Sequence, residues 1–138
     1  MWRSHVGVKN MDGIADSSFL EKVANGEKRA LEIWSAVKEG RMRLYVSTVT
    51  LLVFGAKMIK EGKWDMLSVM DAALKTYLQV DIVPVDMGIA LEARNFMAQG
   101  FEMEEAIVAA LFALEKSKNI ITANPEKYRH LDANIITV

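Results

Sequence analysis

Five oxygen-bearing side chains stand where this sequence passes between apolar runs and helix starts. Asp16 follows Ile14-Ala15, Glu104 and Glu105 precede the apolar run Ala106–Leu114, and Asn124 and Glu126 follow Asn119–Thr122. Carboxylates gathered at one rim suit a hard divalent cation, because Mg²⁺ and Mn²⁺ take oxygen ligands and keep several waters. Such an ion polarises a phosphodiester and supplies hydroxide from water, and a pair of ions clamps the attacking and leaving oxygens. Each residue also has an ordinary structural explanation. Asp before a helix is a cap, Glu in a first turn is favoured by the helix dipole, and Asn-Pro after a strand is a turn. Their joint placement, at strand ends and a helix start, is what points to a site.

Positioning them requires a particular order of elements. Ile14-Ala15 reads as a brief buried strand ending at Asp16, followed by a helix start at Ser17-Ser18. Ala30, Ile33, Trp34 and Val37 have helical spacing within 27–38, and Gly40 is placed to end that helix. Arg43 to Ser47 alternates as a strand. Ser47 and Thr48 can cap a helix over 49–61 that Gly62 terminates, and Trp64, Leu67, Met70, Leu74 and Leu78 mark another amphipathic helix. Asp81 to Val85 reads as a strand in which Pro84 belongs near an end or an edge. Asp86 caps a helix that stops at Gly100, and Met103 to Ser117 forms a strongly apolar one. Asn119–Thr122 is a short buried strand, Pro125 to Leu131 a turn or brief helix, and Asn134 to Val138 a last strand. Strands separated by helices predict one α/β domain with a parallel or mostly parallel sheet covered on both faces. In such sheets ligands gather at the carboxyl ends of the strands, which is where Asp16, Asn124 and Glu126 fall.

Composition narrows the chemistry. The 138 residues suit one domain with its own core, and no repeat or flexible linker divides them. With no cysteine, thiolate metal sites, thiol catalysis and disulfides are excluded, which fits a reducing cytoplasm. The formal net charge of −1 provides no global field for nucleic acid, so RNA would need a local patch. Arg41, Arg43, Lys57, Lys60 and Lys63 are the candidates for it. Trp34, Trp64 and Tyr77 offer stacking surfaces, but both tryptophans fall on apolar helical faces, which favours core or interface packing. No glycine loop of the nucleotide-binding kind occurs, and the longest apolar run is too short to span a membrane. His130 has no partner that would make a site of it, and His5 lies in a polar stretch, Met1 to Asn10, that reads as a loosely ordered or misassigned extension, with Met11 as an alternative start.

Four short motifs in order resemble the PIN-domain family, especially VapC-type toxins of prokaryotic toxin–antitoxin pairs. They are Asp16-Ser17-Ser18-Phe19-Leu20, Val46-Ser47-Thr48-Val49-Thr50-Leu51, Glu105-Ala106-Ile107-Val108-Ala109-Ala110, and Ile120-Ile121-Thr122-Ala123-Asn124-Pro125-Glu126. The resemblance covers most of residues 11–138. It implies a three-layer α/β/α sandwich, endoribonuclease activity dependent on Mg²⁺ or Mn²⁺, RNA as substrate, a small antitoxin protein as partner, and a homodimer formed through helices. The helix over 49–61, apolar around much of its circumference, belongs in a core or an interface.

Carried onto this sequence, the resemblance assigns catalysis to Asp16, Glu105 and Asn124. It assigns metal ligation to Asp16 and Glu105 with Glu104 and Glu126 as stand-ins, and support of the acids to Ser18, Ser47 and Thr122. The departures are as informative. The acid of the second motif is replaced by Val53, the third acid is Glu in place of Asp and so longer by about 1.5 Å, and the fourth is the neutral Asn124. Fewer charged ligands weaken Mg²⁺ binding. Two readings follow: a weak, Mn²⁺-favouring ribonuclease, or a PIN-like binding domain that does not hydrolyse. A receiver-like signalling module fits worse, since Ala123 and Asn124 stand where its late lysine belongs.

Overall fold

The computed structural model describes residues 11–138; the expected N-terminal extension and His5 lie outside the described residues. The elements run β1 (Met11–Ala15), α1 (Ser17–Ala24), α2 (Lys28–Lys38), β2 (Met42–Ser47), α3 (Thr48–Lys60), α4 (Trp64–Thr76), β3 (Val80–Val83), α5 (Met87–Ala98), α6 (Met103–Ala113), β4 (Asn119–Thr122), a 3₁₀ turn (Pro125–Tyr128) and β5 (Asn134–Thr137). The sheet order is β3-β2-β1-β4-β5 and every pairing is parallel. This is the expected three-layer sandwich, with a sheet parallel throughout.

Alternation along the central strands builds both layers at once. In β1, Ile14 enters the core formed with α5 and α6, while Ala15 enters the core formed with α1 to α4. In β4, Ile120 and Ile121 divide between the same two cores. Side chains of a strand point alternately to opposite faces, so two adjacent apolar residues serve two layers. Between them, Gly13 gives Ile121 its room: a Cβ there would stand 2.7 Å from the Ile121 Cδ1 atom.

The helices form where caps and stops predict. Asp16, Ser47 and Asp86 each accept a hydrogen bond from the backbone N–H three residues on, capping α1, α3 and α5. Gly40 and Gly62 end α2 and α3 at φ of 80° and 71°, a backbone region that costs glycine little. Pro84 follows β3, which ends at Val83 and is an edge strand. The sixth helix stops at Ala113, one turn short of the expected Ser117, because Glu115 takes φ 64° and turns the chain toward β4. Residues Ala106 to Leu111 of α6 are all buried, so a helix with almost no polar face is covered by sheet on one side and by α5 on the other. No helix among the described residues is long and apolar enough to cross a membrane.

Two expectations about aromatic residues separate here. Trp34 packs as core, its ring centroid 6.4 Å from Phe19 and 5.3 Å from Tyr77. Trp64 does not: it opens α4 with its side chain more than half exposed. Helical spacing identifies a shared face but not whether another element covers it.

Candidate functional site

The carboxyl end of β1, the turn after β4, one side of α3 and the first turn of α6 meet around one cleft of about 450 Å³. Asp16, Glu104, Glu105 and Asn124 line it, as does Val53, which leaves an apolar side chain where the second motif's acid was expected. Glu126 does not reach the cleft. The 3₁₀ turn leaves its side chain in solvent, sets Lys127 at the cleft's rim and buries Tyr128.

Asp16 is almost wholly buried and fully engaged. Its Oδ1 accepts from Ser18 Oγ at 2.6 Å and from the Phe19 N–H at 3.2 Å. Its Oδ2 accepts from Thr122 Oγ1 at 2.7 Å and from the Tyr128 hydroxyl at 2.9 Å. A carboxylate has about four lone-pair positions, and each faces a donor. The supporting hydroxyls are held in turn: Ser18 Oγ accepts from the Ala123 N–H at 2.8 Å, and Thr122 Oγ1 accepts from the Asn124 N–H at 2.9 Å. Ser18 and Thr122 therefore stand beside Asp16 as expected and tie β1 to the loop after β4. Burial and the neighbouring Asp16 charge push the Tyr128 phenol far above its ordinary range.

Glu104 acts as a partly buried brace. Its carboxylate accepts from the Ser17 N–H and Ser17 Oγ, both at 2.7 Å, and from Thr50 Oγ1 at 2.9 Å. It thus pins α6 to the start of α1 and to α3. Burial raises its pKa above the usual carboxylate range against the pull of those donors, and Asp16 raises it further. Ser47 acts one step back, capping the helix that carries Thr50 by accepting the Thr50 N–H at 3.0 Å. Glu105, beside it in sequence, takes a different partner: Lys127 Nζ lies 3.2 Å from its Oε2.

Ser17, Thr50, Lys127 and Tyr128 escape a reading based on acid spacing. The signal for the last two is the turn itself. Pro125 starts a 3₁₀ turn directly after a strand end, and residues one turn later face back toward that end.

The basic residues considered for RNA are largely committed. Lys57 pairs with Glu21 at 2.7 Å, Lys63 with Glu61 at 3.1 Å, Arg41 with Glu39 at 2.6 Å and Arg43 with Asp81 at 2.8 Å.

No family profile and no curated protein matches the sequence. Solved structures do match. A toxin–antitoxin complex from Klebsiella pneumoniae aligns with a TM-score of 0.69 at 17% identity, over 91% of this chain and 96% of that one. VapBC2 from Rickettsia felis, bound to a DNA fragment from its promoter, aligns with a TM-score of 0.71 at 12% identity, over 93% and 99%. The fold is PIN-like. VapC20 from Mycobacterium tuberculosis, a Sarcin-Ricin loop cleaving toxin, aligns with a TM-score of 0.63 at 15% identity, over 78% and 85%.

The PIN-like fold implies a divalent ion among these acids, and the residues do not fit one. The Asp16 oxygens face four protein donors. Glu104 spends both oxygens on protein donors, Glu105 faces an ammonium, and Val53 has no donor atom. Among the described residues no group of three or more His, Cys, Asp or Glu side chains is placed to hold a metal. The acids of this PIN-like cleft are met by hydroxyls, backbone N–H groups and a lysine.

Proposed function

We propose that this chain is a PIN-like domain that does not hydrolyse RNA and acts by binding a protein partner, a small antitoxin-type chain. The observation that carries the reading is the saturation of Asp16: its lone pairs are met by Ser18, Phe19, Thr122 and Tyr128. A ligand for a catalytic ion needs at least one free oxygen. Protein is favoured over RNA as partner because Arg41, Arg43, Lys57 and Lys63, four of the five candidate cations, are already paired with acids, and an RNA site draws its affinity from cations that meet phosphates. Two of the similar structures are a toxin–antitoxin complex and a VapBC2 complex. Here an apolar groove of about 410 Å³ between α1, α2 and α4, lined by Val23, Leu31, Trp34, Met66 and Val69, offers a surface for an apolar segment.

Calorimetric titration of the chelator-stripped protein with MnCl₂ and MgCl₂ tests the loss of hydrolysis. The expected result is no saturable heat at millimolar ion. Saturable binding would favour the second reading, a weak Mn²⁺-dependent ribonuclease, for which the gathering of Asp16, Glu104 and Glu105 in one cleft speaks. RNA cleavage by a preparation that loses activity on Glu105→Gln would establish it.

We also infer a homodimer. Leu52, Val53 and Ile59 of α3 are exposed apolar side chains on a helix whose other face, Thr50, Phe54 and Met58, is buried, and such a face asks for a cover. Light scattering should give twice the mass of one chain, and a heavier complex after co-expression with the product of an adjoining short gene. A single-chain mass in dilute solution would remove the dimer, and an unchanged mass after co-expression would count against the antitoxin-type partner.

A further inference from the structure

The cleft is acidic and nonetheless offers little to an ion. Its lining carries Asp16, Glu21, Glu102, Glu104 and Glu105 against Lys57 and Lys127. Lys57 is spent on Glu21 at 2.7 Å, at the edge of the cleft. The hydrogen bonds to Asp16 and Glu104 come from neutral donors, which hold those groups without cancelling their charge. That leaves Lys127 to face the others. Its Nζ is 3.2 Å from Glu105 Oε2, and the Glu105 side chain is only 14% exposed.

We propose that Lys127, seated by Tyr128, is a tethered counter-cation whose ammonium fills among Asp16, Glu102 and Glu105 the electrostatic role that a free divalent ion would fill. This rests on the non-hydrolysing reading and extends it from what the cleft has lost to what replaced it.

The local structure supports the assignment. Pro125 sets the first residue of the 3₁₀ turn, and the Lys127 N–H donates to the Asn124 carbonyl at 3.1 Å, which closes it. The next residue, Tyr128, is buried and donates to Asp16. Lys127 is therefore carried on a backbone fixed on both sides, with its side chain 42% exposed at the rim of the cleft. Burial lowers the ammonium's proton affinity, but the hydrogen bond and charge of Glu105, then the charges of Asp16 and Glu102, outweigh it and raise the pKa above the ordinary lysine value. An ammonium provides one charge and three donors at a fixed place. It satisfies acids but cannot lower the pKa of a bound water as a metal does. The exchange keeps the fold's electrostatics and drops its hydrolytic chemistry.

The test is thermal unfolding of chelator-stripped wild type, Lys127→Met and Lys127→Arg, each with and without millimolar MnCl₂. Wild type and Lys127→Arg should show the same midpoint with and without the ion. Lys127→Met should unfold about 2–6 °C lower and regain at least half of that loss when Mn²⁺ is added. In the double variant Lys127→Met/Glu105→Gln, the Mn²⁺ response should vanish. If Lys127→Met does not fold, Lys127→Gln takes its place. A Lys127→Met midpoint that Mn²⁺ leaves unchanged overturns the proposal, as does a Lys127→Arg protein that responds to the ion as Lys127→Met does. A wild-type midpoint that rises with Mn²⁺ overturns the non-hydrolysing reading itself. An inert wild type with an inert Lys127→Met overturns only the role of Lys127.

Discussion

Asp16→Ala should destabilise the protein by about 3–5 kcal/mol, the range for leaving a buried charge network without its central partner. The substitution takes the acceptor away from Ser18 Oγ, the Phe19 N–H, Thr122 Oγ1 and the Tyr128 hydroxyl together. Thr122 and Tyr128 are buried, so water cannot readily replace what they lose. The α1 cap goes with it, a further contribution of about 1 kcal/mol. Asp16→Asn, which retains one acceptor oxygen, should cost less, about 1–3 kcal/mol. The sign of the effect is diagnostic. In an ion-free metal site, clustered carboxylates repel one another, and removing one relieves the fold. Here removal should weaken it, because Asp16 is the acceptor at which β1, α1, β4 and the 3₁₀ turn meet. Urea unfolding at neutral pH reads the difference as a lower midpoint at unchanged slope. A midpoint for Asp16→Ala at or above that of wild type would mean that Asp16 is held in reserve for a ligand after all.

Tyr128→Phe should make a smaller difference at neutral pH and change its sign at alkaline pH. Removing the hydroxyl leaves Asp16 Oδ2 with Thr122 alone, at a cost of about 1–2 kcal/mol. The pH dependence follows from the phenol. Burial, then the charge and hydrogen bond of Asp16, raise its folded pKa far above the ordinary value, while in the unfolded chain a tyrosine ionises near pH 10. Above that pH the folded state binds the proton and the unfolded state has released it. Stability is therefore fully present below about pH 10 and is lost as pH rises beyond it, at up to about 1.4 kcal/mol per pH unit. Phenylalanine has no such dependence. Lys57 and Lys127 also have raised pKa values and lose their contributions in the same direction, but they are common to both proteins and cancel in the comparison. Urea midpoints from pH 8 to 11.5 should converge and then cross roughly 0.7 to 1.5 units above the free phenol's pKa. Curves that stay parallel over this range would show that Tyr128 ionises in the folded state. Tyr128→Ala, which also removes a buried ring, should cost about 3–5 kcal/mol at neutral pH, and less as pH rises past about 10 for the same reason.

Much of the architecture was legible before any coordinates. The caps at Asp16, Ser47 and Asp86 and the stops at Gly40 and Gly62 are local devices, and each works where it was expected. The pairs Ile14-Ala15 and Ile120-Ile121 announce strands buried on both faces, since period two sends adjacent apolar residues to opposite layers. Strands separated by helices require crossovers, and crossovers make the sheet parallel. The departures from the motif pattern were visible as well: Val53 and Asn124 have no charge to give, whatever surrounds them.

Only the tertiary structure decided what the remaining acids do. Glu104 and Glu105 are neighbours in one helical turn, yet consecutive helical residues point about 100° apart. One braces Ser17 and Thr50 and the other meets Lys127. Glu126 and Lys127 differ by a single step along a 3₁₀ turn, and that step leaves the acid in solvent and sets the cation at the cleft's rim. Spacing along the chain identifies residues that share a rim, but lone pairs are taken by donors contributed from elsewhere, and those arrive through contacts as distant in sequence as Asp16 and Tyr128. The type of each candidate ligand was a property of the sequence; whether it had an oxygen left to offer was a property of the fold.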